Sequence, residues 1–248
     1  MGEILAVTNP LLSLRRRGGR AVLAVAACAM LTLSACGNDT SRTEGSKIAL
    51  GMAKELKNRV FGAKSAGTGA PPDPEKLAEA AKRSFAGPII LAQLEKSGLL
   101  TVLGEYGRNG NVRTSSTANK QTLRLRAGLL TAARGLGNDL MSAETTAAAR
   151  LVLARQPGTA EHVYRYLDGE DIERPLPLRC TVTSGAAKSF TFSGTTFNTV
   201  EMTETCQATT QALSVTNQYW VTGSGVVALS RQWIGPALGY VTIQTVRP

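Results

Sequence analysis

The chain has 248 residues and a formal net charge of +10, with four cysteines and a single histidine. That length allows one domain with a substantial core, or at most two small ones. One histidine removes most zinc sites and most Ser-His-Asp arrangements, and the lack of a Cys-x-x-Cys pair removes thiol redox chemistry.

Arg15, Arg16, Arg17 and Arg20 form a positive block, followed by a 13-residue apolar run from Ala21 to Leu33. The run is too short for a stable membrane span and has the length of a secretory signal core. It ends in Leu33-Ser34-Ala35-Cys36, a lipobox, in which the cysteine sulfur receives a diacylglycerol and cleavage makes that cysteine the first mature residue. Residues 1–35 are thus read as a lipoprotein signal peptide, and Cys36 as the lipidated residue that holds the mature protein on a membrane. Each buried CH₂ of such a lipid contributes about 0.8 kcal/mol, so two or more chains anchor durably.

The first 35 residues carry four arginines and one glutamate, so the mature part keeps +7 of the +10. In an exported protein this argues against a nucleic-acid partner. It leaves phospholipid head groups, lipopolysaccharide and acidic polysaccharides as the available anions. Cys28 leaves with the signal, so Cys180 and Cys206 remain. In an oxidising envelope compartment this even pair reads as one disulfide.

Residues 36–46 are polar and non-periodic, a flexible tether reaching about 35 Å when extended. Residues 47–87 are predicted helical. Ile48, Met52, Leu56 and Val60 recur every four residues beside lysines and arginine, making a basic amphipathic helix that packs on its own domain or lies on anionic membrane. A Gly/Ala/Pro linker follows. Asp73-Pro74-Glu75 then supplies an N-cap and a first-turn proline for a second helix, to about Ser84.

From residue 88 to 248 short apolar or alternating runs are separated by turn residues, an all-β pattern. Predicted strands cover 89–94, 99–106, 121–126 and 129–134, and an Ala-rich helix is expected at 143–155. Further strands follow at 161–167, 178–183, 189–192, 196–207, 213–222, 226–234 and 240–246. Asp168-Gly169 marks a hairpin turn, and Pro175 and Pro177 indicate that the next strand begins at an edge. The expected fold is mainly β: an antiparallel barrel-like domain with N-terminal helices and one short inserted helix.

Chemistry is sparse. His162 lacks partners at ligand spacing, so no metal and no cofactor is expected. Asp168, Glu170 and Asp171 could pair for glycoside hydrolysis, but Asp and Gly are equally what a hairpin turn needs. Gly135-Leu136-Gly137 is too short for a phosphate loop. Tyr219, Trp220 and Trp233 are candidates for stacking on sugar rings, though such residues more often fill a β-protein core.

Five segments carry a resemblance: Arg134 to Ser142, Tyr164 to Asp171, Glu204-Thr-Cys206, Asn217 to Trp220 and Ser230 to Gly235. In this order and spacing, behind a lipobox, they resemble the YjbF/GfcB group 4 capsule lipoproteins over residues 85–248. The resemblance implies a barrel-like periplasmic domain on a lipid anchor, with a role in making or exporting capsular or extracellular polysaccharide. It implies no catalytic residue. The partners expected are the membrane, through the anchor, with polysaccharide and proteins of the export machinery. Gly37 rather than aspartate after the lipidated cysteine favours the outer membrane over the inner. The reading is therefore a non-enzymatic accessory factor. The alternative is a β-barrel carrier of a lipid or lipid-linked glycan, to be separated from the first by whether the barrel interior is filled. Replacing Cys36 by serine is expected to abolish incorporation of labelled palmitate and to move the protein from the membrane to the soluble fraction.

Overall fold

The computed structural model describes residues 72–248. The signal segment, the tether and the helix expected after Ser46 lie outside them. The element order is α1 (Pro74–Ser84), β1 (Ile89–Leu94), β2 (Leu99–Asn109), β3 (Val112–Ser116), β4 (Thr122–Arg126), β5 (Leu129–Arg134), β6 (Ser142–Glu144), α2 (Thr146–Ala154), β7 (Gly158–Leu167), β8 (Glu173–Phe192), β9 (Thr195–Ala208), β10 (Ser214–Thr222), β11 (Val227–Gly235) and β12 (Gly239–Arg247).

All twelve strands join one antiparallel sheet in the order β5-β4-β3-β2-β1-β12-β11-β10-β9-β8-β7-β6. Each hairpin neighbour in sequence is a neighbour in the sheet, and the single long-range pairing is β1 with β12. The sheet curls until its ends meet, giving a nearly closed barrel. At the seam the Ala133 N–H donates to Leu140 O at 2.9 Å. The Arg134 guanidinium donates to Ala133 O, Leu140 O and Met141 O at 2.7–2.9 Å. Asp139 accepts from the N–H groups of Gly135 and Leu136, so these glycine-loop amides are taken by a carboxylate of their own turn. β6 is only three residues long and cannot cover the whole of β5. The uncovered part is met by Gln232 of β11, which accepts from Leu130 N–H at 2.7 Å and donates to Gly128 O at 2.9 Å. A side chain thus does for a buried strand edge what a neighbouring strand would do.

The interior is packed. Leu103, Leu123, Leu130, Tyr164, Trp233 and Ile243 belong to one buried cluster. α2 inserts Ala148, Ala149 and Val152 against Val182, Met202, Tyr219 and Val221 in a second. Small alanines let this helix sit close to the strands as a plug. α1 is capped by Asp73, which accepts from Glu75 N–H at 3.0 Å. It covers the outer face, laying Ala78 and Ala81 on Leu91, Val102 and Val246. β1 is therefore buried on both faces.

The expected helix at 143–155 starts later, because residues 142–144 pair with β7 before the chain turns into α2. The two strands expected at 178–183 and 189–192 are one strand, β8, bent by a bulge between Ser184 and Ala187. β7 stops opposite Val182, so beyond it β8 and β9 form a two-stranded arm. Its Ser193-Gly194 turn, with φ of 48° and 72°, reaches α1. There Ser193 N–H donates to Glu75 at 2.7 Å, and Lys82 donates to the Ser193 carbonyl and hydroxyl oxygens. Pro175 and Pro177 lie where β9 has already ended opposite Leu178, so β8 is locally an edge strand, as the sequence requires.

Cys180 and Cys206 face each other across β8 and β9 and form a disulfide. The bridge closes a separation of 26 residues. Replacing both cysteines by alanine is expected to cost about 3–4 kcal/mol. For a domain of this size that lowers the melting temperature by about 10 °C, measured by calorimetry without reductant.

Candidate functional site

Alternation along four adjacent strands delivers the same set of residues to the barrel interior. From β7 come Ala160, His162 and Tyr164; from β8, Leu178, Cys180 and Val182; from β9, Met202, Glu204 and Cys206; from β10, Val215, Asn217, Tyr219 and Val221. All are buried. Among apolar neighbours this places one carboxylate, Glu204, with 0 % exposure, and one imidazole, His162, with 1 %.

Glu204 is the hub. Its Oε2 accepts from Asn217 Nδ2 and from the Tyr219 hydroxyl, both at 2.9 Å. Its Oε1 lies 3.0 Å from His162 Nε2. That approach lies off the N–H axis, so it is an electrostatic contact rather than an aligned hydrogen bond. Neither imidazole nitrogen has a hydrogen-bond partner among the described residues. Asn217 Oδ1 then accepts from Trp233 N–H at 2.7 Å. Burial pushes the Glu204 carboxyl up, but His162, Asn217 and Tyr219 together outweigh it and hold it below its ordinary value. Tyr219 and Tyr164 are both pushed up, first by burial and then by the Glu204 charge.

The aromatic groups around this hub interlock. Tyr164 and Tyr166 meet Trp233 edge to face with centroids 5.5 and 6.1 Å apart. The Tyr166 hydroxyl donates to Ile234 O at 3.2 Å. Gly235 has φ of 148°, and a side chain there would put Cβ 3.0 Å from the Tyr166 ring, so both backbone and space demand glycine.

Donor atoms of His162, Glu204, Cys180 and Cys206 lie within 4.8 Å of one another. Both sulfurs are in the disulfide, which leaves one imidazole and one carboxylate rather than a four-ligand set. The arrangement is a buried carboxylate–imidazole contact in a hydrogen-bonded cage. Solvent does not reach it, and a sugar could not.

The three aromatics expected to stack on sugar separate. Tyr219 is 1 % and Trp233 4 % exposed, so both are interior residues and neither presents a ring face to a glycan. This corrects the reading of them as contact residues; the strand period that makes them adjacent to other aromatics also turns them inward. Trp220 faces the other way and is half-buried under the β8–β9 arm, with the Lys188 ammonium 5.6 Å from its ring centroid. Among the acidic candidates, Asp168 accepts from Glu170 N–H and Ile172 N–H at 2.9 Å and from Arg174 Nε at 2.7 Å. These backbone bonds first, then Arg174, lower its pKa, the opposite of what a general acid needs. It is a turn residue. Glu201 lies on the opposite face of β9 from Glu204 and accepts from Gln218 at 3.2 Å.

The Glu204 cage was not anticipated, although its signal is in the sequence. If Cys206 faces the interior, then Glu204, two residues earlier, must share that face.

Four of the five segments that carry the sequence resemblance converge on this cage, through Tyr164, Glu204, Asn217, Tyr219 and Trp233; the fifth forms the barrel seam through Arg134 and Asp139. A family model described as group 4 capsule polysaccharide lipoprotein gfcB, YjbF matches residues 53–246. The chain belongs to this family. Membership gives it a capsule-related lipoprotein role in the cell envelope. Among curated proteins no relative matches. A crystal structure of the hypothetical lipoprotein YmcC from Escherichia coli (K12) has the same fold. The TM-score is 0.62 at 15 % identity, over 79 % of this chain and 96 % of that one. No helix among the described residues is long and apolar enough to cross a membrane.

Changing Glu204 to Gln can keep one acceptor oxygen for Asn217 and Tyr219, while it removes the charge and puts an amide NH2 in place of the oxygen that faces His162. At neutral pH it is expected to destabilise the protein by about 3 kcal/mol. Because the folded pKa of Glu204 lies below 4.5, its contribution is present above about 4.5 and is lost as pH falls through the folded value. The gap between wild type and variant in urea unfolding should therefore shrink below that pH.

Proposed function

We propose that this lipoprotein is a non-enzymatic accessory factor in capsule or exopolysaccharide assembly and export. In this reading the Cys36 lipid anchors it to the outer membrane with the barrel facing the periplasm. It acts by contact with polysaccharide or with proteins of the export machinery. The observation that carries this reading is the sealed interior. Its one carboxylate and one imidazole are fully buried and committed to each other, so they are a structural pair and not an acid and base facing substrate. The same packing speaks against a lipid carrier, whose acyl chains need an open apolar cavity. Here that space is filled by Tyr164, Trp233, leucines and the α2 plug. The mature charge of +7 suits a partner or surface rich in anions.

The test is complementation of a strain lacking the gene, read as the amount and chain length of surface polysaccharide. Wild type and Glu170→Gln should restore both. Cys36→Ala should restore little, since it leaves the barrel intact but unanchored. Shortening of purified polysaccharide by the wild-type protein, lost in Glu170→Gln, would overturn the non-enzymatic reading.

A further inference from the structure

One end of the barrel holds a second feature, unconnected with the Glu204 cage. Where β2–β3, β4–β5 and β10–β11 turn, beside the last residues of β12, the strands enclose a pocket of about 280 Å³. Ile90, Leu125 and Val227 give it an apolar floor. Arg108, Arg113 and Arg247 bring three positive charges to it, against the Glu105 carboxylate and the terminal carboxylate of Pro248, which also lines it. Arg247 spends its N–H groups on the carbonyls of Lys82, Phe85 and Gly87, which fixes its charge in place. Arg108 donates through Nε and Nη2 to Glu105 at 3.1 and 3.2 Å. Arg113 approaches Glu105 more loosely, with Nε 3.5 Å from Oε2, and its side chain is more than a third exposed.

The walls are preformed. Ala127 N–H donates to Asn111 O at 3.0 Å, and Arg126 to the Asn111 side chain at 3.4 Å, so the β2–β3 and β4–β5 turns are tied together. Gly128, with φ of 93°, lies so close to β11 that an added Cβ would fall 2.6 Å from Val227. The volume sits at the lower end of ligand pockets, suited to one sugar ring and far short of a lipid. Guanidinium forks suit planar or tetrahedral oxyanions, and an apolar floor suits the C–H face of a pyranose.

We propose that this pocket binds one anionic sugar residue, a pyranose bearing a carboxylate or a phosphate. Arg113 and Arg108 hold the anion, Glu105 accepts from a ring hydroxyl, and the ring lies on Ile90, Leu125 and Val227. The choice of a sugar rests on the capsule reading above; the positive, preformed pocket does not.

The full chain, purified in detergent, is titrated by calorimetry with D-glucuronate, glucose 1-phosphate, glucose and inorganic phosphate. One or both anionic sugars should saturate a single site. Glucose should bind at least about tenfold more weakly, and inorganic phosphate more weakly than the sugar phosphate. Arg113→Gln should weaken the anionic sugar about tenfold with an unchanged melting temperature. Arg108→Gln, which leaves Glu105 paired with Arg113, gives an independent reading of the same loss. Equal binding of glucose and glucuronate, phosphate as tight as its sugar ester, or full affinity in both variants would overturn the proposal. A wild-type chain that binds neither anionic sugar yet restores surface polysaccharide overturns the pocket alone. Binding that is intact in a protein with no effect on surface polysaccharide supports the pocket and overturns the export role.

Discussion

A twelve-stranded sheet has two edges, and the disposal of those edges governs this molecule. An exposed row of unpaired backbone groups invites pairing with other chains, and a buried row costs the desolvation of every unmet donor. Here β5 and β6 are curled into contact, and the seam is closed by one direct backbone bond and the Arg134 fork. Because β6 is short, Gln232 reaches from β11 to satisfy the remainder. Closure in turn defines an inside, and the inside is what α2, the disulfide and the Glu204 cage occupy.

The cage gives that inside a unique arrangement. Apolar side chains alone pack with some tolerance of register, whereas a buried carboxylate accepts only a position in which its partners converge. Glu204 fixes β9 against β10 through Asn217 and Tyr219, and against β7 through His162; Asn217 extends the bond to β11 at Trp233. The Cys180–Cys206 bridge ties β8 to β9 on the same face. Five adjacent strands are thereby held in one register by polar and covalent links rather than by hydrophobic burial alone.

With the interior committed to structure, contact with other molecules falls to the outer surface and the barrel ends. The outer surface is specialised on one side, where α1 and the β8–β9 arm clasp each other through Ser193 and cover part of the sheet, Trp220 included. The opposite kind of surface is the barrel end near Arg113, where charged side chains surround an apolar floor. A rigid barrel with a chemically distinct mouth suits a protein whose family is defined by polysaccharide and by a lipid anchor.

Much of this was legible in the chain. Period-2 alternation and evenly spaced turns determined an antiparallel β domain, because hairpin connections make sequence neighbours sheet neighbours. Asp73-Pro74 determined the start of α1, and Pro175 and Pro177 determined that β8 begins as an edge, since proline has no N–H to give a second neighbour. The order of charge, apolar run and lipobox, and the five resembling segments, pointed to the family that the full comparison shows. Local pattern could not decide which side of each strand is inside, nor how the sheet ends meet. Tyr219 and Trp220 are adjacent and equally aromatic, yet one is the hub's hydrogen-bond donor and the other lies under the arm. Only closure assigns the faces. The Glu204–His162 pair depends on β7 and β9, which are separated in the sheet by β8, and the basic pocket on six strands from both halves of the chain. Such juxtapositions are set by register and curvature, which arise when distant segments pair and which no short window of sequence encodes.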